Sequence, residues 1–516
     1  MLRPLFQGGP RRRPARALWL IALLPLACAA PGGARAAAPD EVVVLLEAAP
    51  ATLDPLLATD AYGVRISNQL LFDTLLTLDD ALAPAPGLAD QWRQVTPTRY
   101  RLRIRRGVRF HDGHPLTPAD VVFTLQSLTA ATGGSPNGAA LRQKLRAVRA
   151  LGADEVELDL NAPYASLLVD LIVPVRCRAT PDAPFNGTGP FRLLRQTPTE
   201  IALERNLDYH GARPGPARVT FKVVQDENTR MLKFLKGDVD LAVNALPLDK
   251  LLQFRRAPLS GRYRVEEAPG LSYQYLGLNL ADPILAQAKV RRALALAINV
   301  DALIKFRQKG HATRAAWLLP ADSPYAAPGP PPRYDPAQAA RLLDEAGFPL
   351  KDGRRFGLTY KTSTDRAAVI QARVIQSDLR EIGVEVDVRA FEWATFYEDI
   401  QKGNFQLFSL RWIGVVDPDF QYELFHSSQL PPRGRNRGRY RNPEADRLLE
   451  AGRLETDPAR RRALYRRLEG RLQDDLPYIS LWHNNNIAIV SRRFDGFRLH
   501  PTGGFQHLAE MRPAAP

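Results

Sequence analysis

Two distant segments of this chain of 516 residues are written in the same pattern. VTFKVVQDENTRMLKFLKGDVDLAV begins at Val219, and VEVDVRAFEWATFYEDIQKGNFQLFSL begins at Val384. Each reads strand, short loop, helix, Lys-Gly, strand. Gly237 and Gly403 stand where a left-handed residue ends a helix. The match needs a one-residue slip in the first strand, and any two β-α-β units share this outline. Two such units predict two α/β lobes. In open α/β sheets, ligands settle beyond the carboxyl ends of the strands. Those positions are Gln225–Asn228 in one unit, and Phe391–Trp393 with Trp412–Gly414 in the other. Two lobes presenting these ends to each other make a cleft.

The N-terminus sets the compartment. Arg3, Arg11, Arg12, Arg13 and Arg16 form a basic head, followed by the apolar run ALWLIALLPLACAA from Ala17 to Ala30. The run is too short to span a bilayer and suits a signal-peptide core. Ala34 and Ala36 fit the small-x-small cleavage pattern, so residues 1–36 are expected to be removed and the mature chain to start at Ala37. A buried N-terminal helix is the competing reading. Cys28 opens a further alternative, a lipid anchor, although Pro25 stands where a lipobox carries a branched aliphatic residue. The triple arginine also hints at twin-arginine export. The mature chain then keeps one cysteine, Cys177, which is expected to serve packing. The formal charge of +15 falls by the six arginines of residues 1–36. Export argues against nucleic acid as the partner of this basic chain, and leaves an anionic membrane surface or partner as the milder reading.

Further along, EVVVLLEA predicts a buried strand, LDPLLATDAYG a loop, and SNQLLFDTLLTL a helix. Tyr100, Leu102 and Ile104 alternate with Arg99, Arg101, Arg103 and Arg105. This is a half-buried strand whose arginine face is either solvated or anion-binding. Thr117-Pro118, Asp335-Pro336, Asn442-Pro443 and Asp457-Pro458 each place a capping side chain before a proline, and so predict four helix starts. Residues 320–333 and 431–443 read as loops, the second with arginines at 433, 435, 437, 439 and 441.

The catalytic motifs sought are absent from the sequence. It has no His-Glu-x-x-His, no Gly-x-Ser-x-Gly, no Ser-x-x-Lys, no Cys-x-x-Cys and no phosphate-cradling loop. A triad assembled in space stays open, because triads need no fixed order. His111 and His114 bracket Asp112 in RFHDGHPLTPADVVF, a plausible ligand cluster. Asp112-Gly113 is a turn dipeptide, and Thr117 with Asp120 approximates a capping box, so the stretch reads as punctuation rather than a metal site.

RFHDGHPLTPADVVFTLQSL resembles the family 5 extracytoplasmic solute-binding proteins of ABC importers, the dipeptide- and oligopeptide-binding group. GTGPFRLL at 187, ERNLDYHGARP at 204, LGLNLADP, VRRALALAINVDALI, EWATF, SLRWIGVVDPD and YRNPEADRLL follow in family order. The resemblance implies an α/β, periplasmic-binding-protein-like clamp of two lobes with an inserted third domain, its mixed sheets flanked by helices. The first lobe would comprise residues 37–75, 180–267 and 485–516, the insert 76–179, and the second lobe 268–484. It implies a receptor rather than an enzyme. The receptor would be monomeric and periplasmic, without cofactor or metal, and would deliver a peptide-like solute to ABC permease subunits in the inner membrane.

Trp393 matches the family's pocket tryptophan in E-W-x-T, and Trp412 that of its G-W-x-G-D loop. The competing reading makes both core tryptophans. Peptide binders of the family often carry Asp directly after W-x-G, facing the peptide's ammonium. Here Val415 follows, and Arg411 replaces the usual glycine before the tryptophan. Asp417 would substitute only by a loop shift. Alternatively, Arg411 and Arg437 favour an anionic or N-blocked solute. Tyr273 and Tyr62 complete the candidate ligand-binding set. A receptor of this fold for a glutathione-like, opine, sugar or metal-chelate solute is the alternative. A periplasmic hydrolase or an envelope sensor is the alternative of another class.

Overall fold

The computed structural model describes residues 40–131, 135–321, 323–326 and 329–515. The expected signal peptide, with Cys28 and the cleavage site, lies outside the described residues. No helix among the described residues is long and apolar enough to cross a membrane.

Two sheets carry the architecture. Strand β1 (Glu41–Leu46) belongs to the larger. Strands β2 (Ala89–Thr96), β3 (Arg99–Ile104), β4 (Leu145–Leu151) and β5 (Glu155–Leu160) form a separate four-stranded antiparallel sheet in the order β2-β3-β5-β4. The chain then returns to the large sheet with β6 (Phe191–Gln196), β7 (Glu200–Arg205), β8 (Arg218–Val223), β9 (Leu241–Val243) and the long β10 (Tyr263–Leu278). Strands β11 (Ala312–Arg314), β12 (Phe356–Ser363), β13 (Val384–Phe391), β14 (Leu407–Trp412) and β15 (Tyr478–Ser491) complete it. Its eleven strands run β13-β12-β14-β10-β15-β9-β1-β8-β7-β6, with β11 added on β15.

The predicted repeat is visible in this order. Helix α2 (Glu227–Lys236; α1 is Pro118–Thr129) joins β8 to β9, and β1 lies parallel between them. Three later helices complete the comparison: α3 (Pro336–Glu345), α4 (Arg366–Glu381) and α5 (Trp393–Lys402). Helix α5 joins β13 to β14, and β12 lies parallel between them. Gly237 and Gly403 end their helices at φ 82° and 80°, as a left-handed terminus requires. From Val42 to Leu46 β1 is buried and apolar on both faces, because it is central in a parallel triplet. Between the two triplets run β10 and β15, paired antiparallel from Tyr263↔Ser491 to Gly277↔Tyr478. These two long strands are the physical link between the halves of the sheet.

All four capping-proline signals start helices: α1, α3, α6 (Pro443–Leu454) and α7 (Pro458–Asp475). In α1, Thr117 and Asp120 form the capping box, with the Thr117 N–H donating to Asp120 Oδ2 at 2.8 Å. The arginine face of β3 is neutralised within its own sheet. Arg99 pairs with Asp159 at 2.8 Å, Arg101 with Glu157 at 3.0 Å and Arg103 with Asp90 at 2.7 Å.

One expectation fails. SNQLLFDTLLTL is not a single helix, and the preceding loop already becomes helical at Ala61, capped by Asp60. The helix passes into a π turn over Ser67–Leu71 and stops, and Leu76–Leu78 is a strand. Asp73 explains the break. Its carboxylate accepts from Thr188 Oγ1 at 2.9 Å and from the Tyr209 hydroxyl at 3.1 Å. Burial lifts its pKa to about 7, and those two hydrogen bonds restrain the rise. Contacts to residues more than a hundred positions away override a helical periodicity.

Candidate functional site

A cavity of about 540 Å³ opens where three parts of the chain meet. Asp80–Pro84 and Ala165, Leu168 and Val169 form one wall. Pro269, Gly270 and Leu271 of β10, with Pro501, form the base. Leu319, Pro320, Tyr325, Val415–Asp417 and Arg461 form the opposite wall. The loop after β14 enters the cavity through Val415–Asp417, whereas the strand-end positions Gln225–Asn228, Phe391–Trp393 and Trp412–Gly414 themselves stand outside its lining.

The electrostatics of that loop are closed off. Asp417 receives two hydrogen bonds from Arg461, at 2.9 Å from Nη1 and 2.7 Å from Nη2. Burial alone would lower the Arg461 pKa, but hydrogen bonding and attraction to Asp417 raise it well above its ordinary range. Asp419 is engaged from both sides. Arg453 of α6 approaches Oδ1 at 3.0 Å, Ser166 donates to Oδ2 at 3.2 Å, and the Lys144 ammonium stands 3.7 Å away. Lys144 also pairs with Asp170 at 2.6 Å. A carboxylate already holding a bidentate guanidinium has little capacity left for a ligand ammonium. Asp417 thus lines the cavity as one half of an ion pair with Arg461.

Beside the cavity wall, aromatic rings and one guanidinium stack in a column. Trp393, the first residue of α5, is exposed and stacks on Tyr397 at 5.9 Å. The Arg437 guanidinium lies over Tyr397 at 5.2 Å and over Trp412 at 4.7 Å. Trp412 stacks on Tyr275 at 5.9 Å, and Tyr275 on Tyr478 at 4.2 Å. Arg437 Nη2 donates to the Tyr397 hydroxyl at 2.9 Å. Trp412 is 8% exposed and Arg437 5%, so the column runs from a solvent-facing tryptophan into the core.

The other candidates scatter. Tyr273 has no exposed surface, and its hydroxyl shares a 2.7 Å hydrogen bond with Ser480. It lines neither cavity and supports the column from the core, stacked on Tyr275 at 5.9 Å. Tyr62 packs half-buried against the core of β1 and β8, far in sequence from the loop of Val415. Its phenol is pushed up to about 12, chiefly by burial and then by Glu47. Arg411 precedes Trp412 on β14, so strand alternation turns it to the opposite face. There it is exposed and lines a second cavity of about 320 Å³.

His111 is half-buried, with Nε2 3.1 Å from the Gly189 carbonyl, and burial lowers its pKa to about 4. Potential ligand atoms of Asp112, His114 and Cys177 lie within 4.8 Å of one another. The Asp112 carboxylate is already occupied there, by the Asn186 side-chain amide at 2.6 Å and the His114 backbone N–H at 3.0 Å. Its role is to close the turn, which Gly113 completes at φ 91°.

Arg461, Tyr325, Tyr397, Lys144 and Arg453 were not legible as site residues. Arg461 sits in DPARRRALYRR, where nothing local separates the buried arginine from its exposed neighbours.

Against known proteins, residues 83–430 match the model of bacterial extracellular solute-binding proteins, family 5. The chain is similar to protein XP55 of Streptomyces lividans, with 32% identity over 91% of this chain and 89% of that one. It is similar to the oligopeptide-binding protein AppA of Bacillus subtilis, with 28% identity over 88% of each. HbpA2 of Haemophilus parasuis superposes with a TM-score of 0.83 and 25% identity, over 92% of this chain and all of the other. Proteins named for nickel and for glutathione binding match at 26% identity.

Proposed function

We propose, from the premise that this chain belongs to the bacterial extracellular solute-binding proteins of family 5, that it binds an N-blocked or anionic, peptide-like solute between its lobes. Members of the family are transport receptors, and this chain is a receptor and not an enzyme. Its relatives carry names for peptide, nickel and glutathione binding, so family membership leaves the ligand class open.

The observation that carries the reading is the loop after β14. Val415 lines the cavity, while Asp417 and Asp419 are both spent on arginines and a lysine of the protein. The wall therefore offers apolar surface and no available carboxylate among these three positions. Outside that loop a free ammonium would find one carboxylate on the cavity lining, Asp80, which is already paired with Arg498 at 2.9 Å and with His507 at 3.1 Å, so its desolvation there is poorly compensated. An acylated nitrogen carries no such penalty. Trp393 stands outside the cavity lining and supplies exposed aromatic area at the end of the column, which suits chemically varied solutes.

In this reading β10 and β15 act as the hinge. Residues 37–75, 180–267 and 485–516 form one lobe, 268–484 the other, and 76–179 the inserted domain. The solute drives closure by binding the closed state more tightly than the open one. The receptor works as a monomer in the periplasm, after loss of residues 1–36, and delivers its solute to an ABC permease.

Native mass spectrometry of freshly purified protein, followed by melting curves against peptides, N-acetylated peptides and small organic acids, tests the reading. A solute at a hundred times its dissociation constant stabilises the fold by about 2.7 kcal/mol. Acylated or anionic compounds are expected to shift the melting point most. A shift with no compound, and no retained solute, overturns it.

A further inference from the structure

The cavity of about 320 Å³ lies on the face of β14 opposite Trp412. Leu248 and Asp249 line it from the side of β9, Gln274 and Asn484 from β10 and β15, and Arg307, Lys309, Ala367 and Arg411 from the other half of the sheet. It thus has walls from both halves, as a cleft does. Three cations meet a single carboxylate there.

None of the three cations makes an ion pair among the described residues. Arg307 is nonetheless fixed in place. Its Nε donates to the Ala367 carbonyl at 3.3 Å, and its guanidinium lies over the Trp482 ring at 5.4 Å. Arg411 is held at the root by strand pairing with Gln274. Lys309 sits in a turn with φ 54°. Two guanidiniums and an ammonium share this lining with one carboxylate, Asp249, which leaves an excess of positive charge that a bound anion relieves. Gln274 and Asn484 add side-chain amides to the lining, whereas the Gln308 amide oxygen accepts from Arg307 Nη1 and Trp482 Nε1.

We propose that Arg307, Lys309 and Arg411 form an anion subsite of the solute cleft, taking a carboxylate or phosphate group of the bound molecule. The proposal rests on the receptor reading above and names the chemistry of one end of its solute. Burial draws the Arg307 pKa down; Asp365 and Tyr360 oppose that, and Arg411 pushes it further down. An anion between the two guanidiniums reverses the last effect and accepts charge-assisted hydrogen bonds from both. Arg411 stands where the resembling family usually keeps glycine, so the subsite belongs to this chain's own specificity. Asp249 is the competitor, since its carboxylate shares the cavity and repels an incoming anion.

The test is calorimetric titration of the mature protein with inorganic phosphate, with citrate, and with acidic solutes beside their amide or ester counterparts. Arg411→Gly, Arg307→Gln and Asp249→Asn are titrated in parallel. The acidic solutes or the two anions are expected to bind. Arg411→Gly and Arg307→Gln should each weaken them at least tenfold and leave the amides unchanged, and Asp249→Asn should tighten them. Phosphate binding without carboxylate binding assigns the subsite to phosphate esters, and the reverse assigns it to carboxylates. The proposal is overturned if the anions bind equally to the arginine variants, if the amides bind as tightly as the acids, or if no anion binds. Tight binding of neutral solutes would overturn the subsite while leaving the receptor reading intact.

Discussion

The Arg437 guanidinium lies 4.7 Å from the centre of the Trp412 ring and makes no ion pair among the described residues. A cation 5% exposed is held by two aromatic faces and phenol oxygens instead. Cation–π contacts of this kind are worth about 2 kcal/mol each when desolvated, and the two here, with the phenol hydrogen bonds, offset a burial cost of several kcal/mol. Gain and cost nearly cancel. Arg437→Met, which keeps the stem and removes the charge, is therefore expected to change unfolding free energy by less than about 2 kcal/mol. Trp412→Ala should lose about 3–5 kcal/mol through the cavity it leaves. Urea denaturation of both variants checks the contrast, and a larger loss in Arg437→Met than in Trp412→Ala would refute it.

Asp417 and Arg461 are a second pair to separate. The Asp417 carboxylate holds two hydrogen bonds from a guanidinium whose side chain is 6% exposed. Asp417→Asn strands that charge and should cost about 3–5 kcal/mol. Arg461→Met in the same chain should recover part of the loss, because the stranded charge is gone. A double-mutant cycle with coupling below about 0.5 kcal/mol would show the pair to be independent.

Glu469 gives the pH dependence. It is fully buried, with Gln421 Nε2 donating to it at 3.2 Å, and burial raises its pKa to about 8 against that hydrogen bond. The fold therefore binds this proton more tightly than the unfolded chain does. Its contribution is most favourable below the ordinary glutamate range, is lost as pH rises from there to about 8, and is flat above. Glu469→Gln should flatten this slope and be more stable than the parent at pH 9, by an amount on the order of a few kcal/mol. Melting temperatures from pH 5 to pH 9 decide it. Parallel pH profiles for parent and variant would contradict it.

His111 and His114 define the negative control. Both belong to the turn before α1 and stand outside the lining of either cavity. Replacing both with Asn should leave solute affinity unchanged within twofold, measured on the solute retained after purification. A tenfold loss would move the functional site to this turn.

What the sequence disclosed follows the range of its interactions. Proline-capped helix starts are local, and all four appear where Thr117, Asp335, Asn442 and Asp457 put them. The two β-α-β units were legible because glycine must end each helix in the left-handed region, at Gly237 and Gly403. The insertion of β1 and β12 between the strands of those units was not, because it depends on pairing across distant segments. The helix expected through Asp73 failed for the same reason. At the site, the strand-end rule pointed to the turn after β14, whose next residues Val415–Asp417 line the cavity, whereas Gln225–Asn228 and Trp393 lie outside that lining. It could not tell that Tyr273 lies beneath Trp412 or that Arg461 occupies Asp417. Those facts depend on residues 44 or more positions apart, which carry no local mark.

The most direct test compares one peptide with a free α-amine and the same peptide N-acetylated, each titrated calorimetrically into the mature protein. Val415 in the wall, with Asp417 and Asp419 both engaged, predicts that the acetylated form binds at least as tightly as the free amine. Val415→Asp is predicted to reverse that order. A parent protein that prefers the free amine tenfold or more would contradict the account.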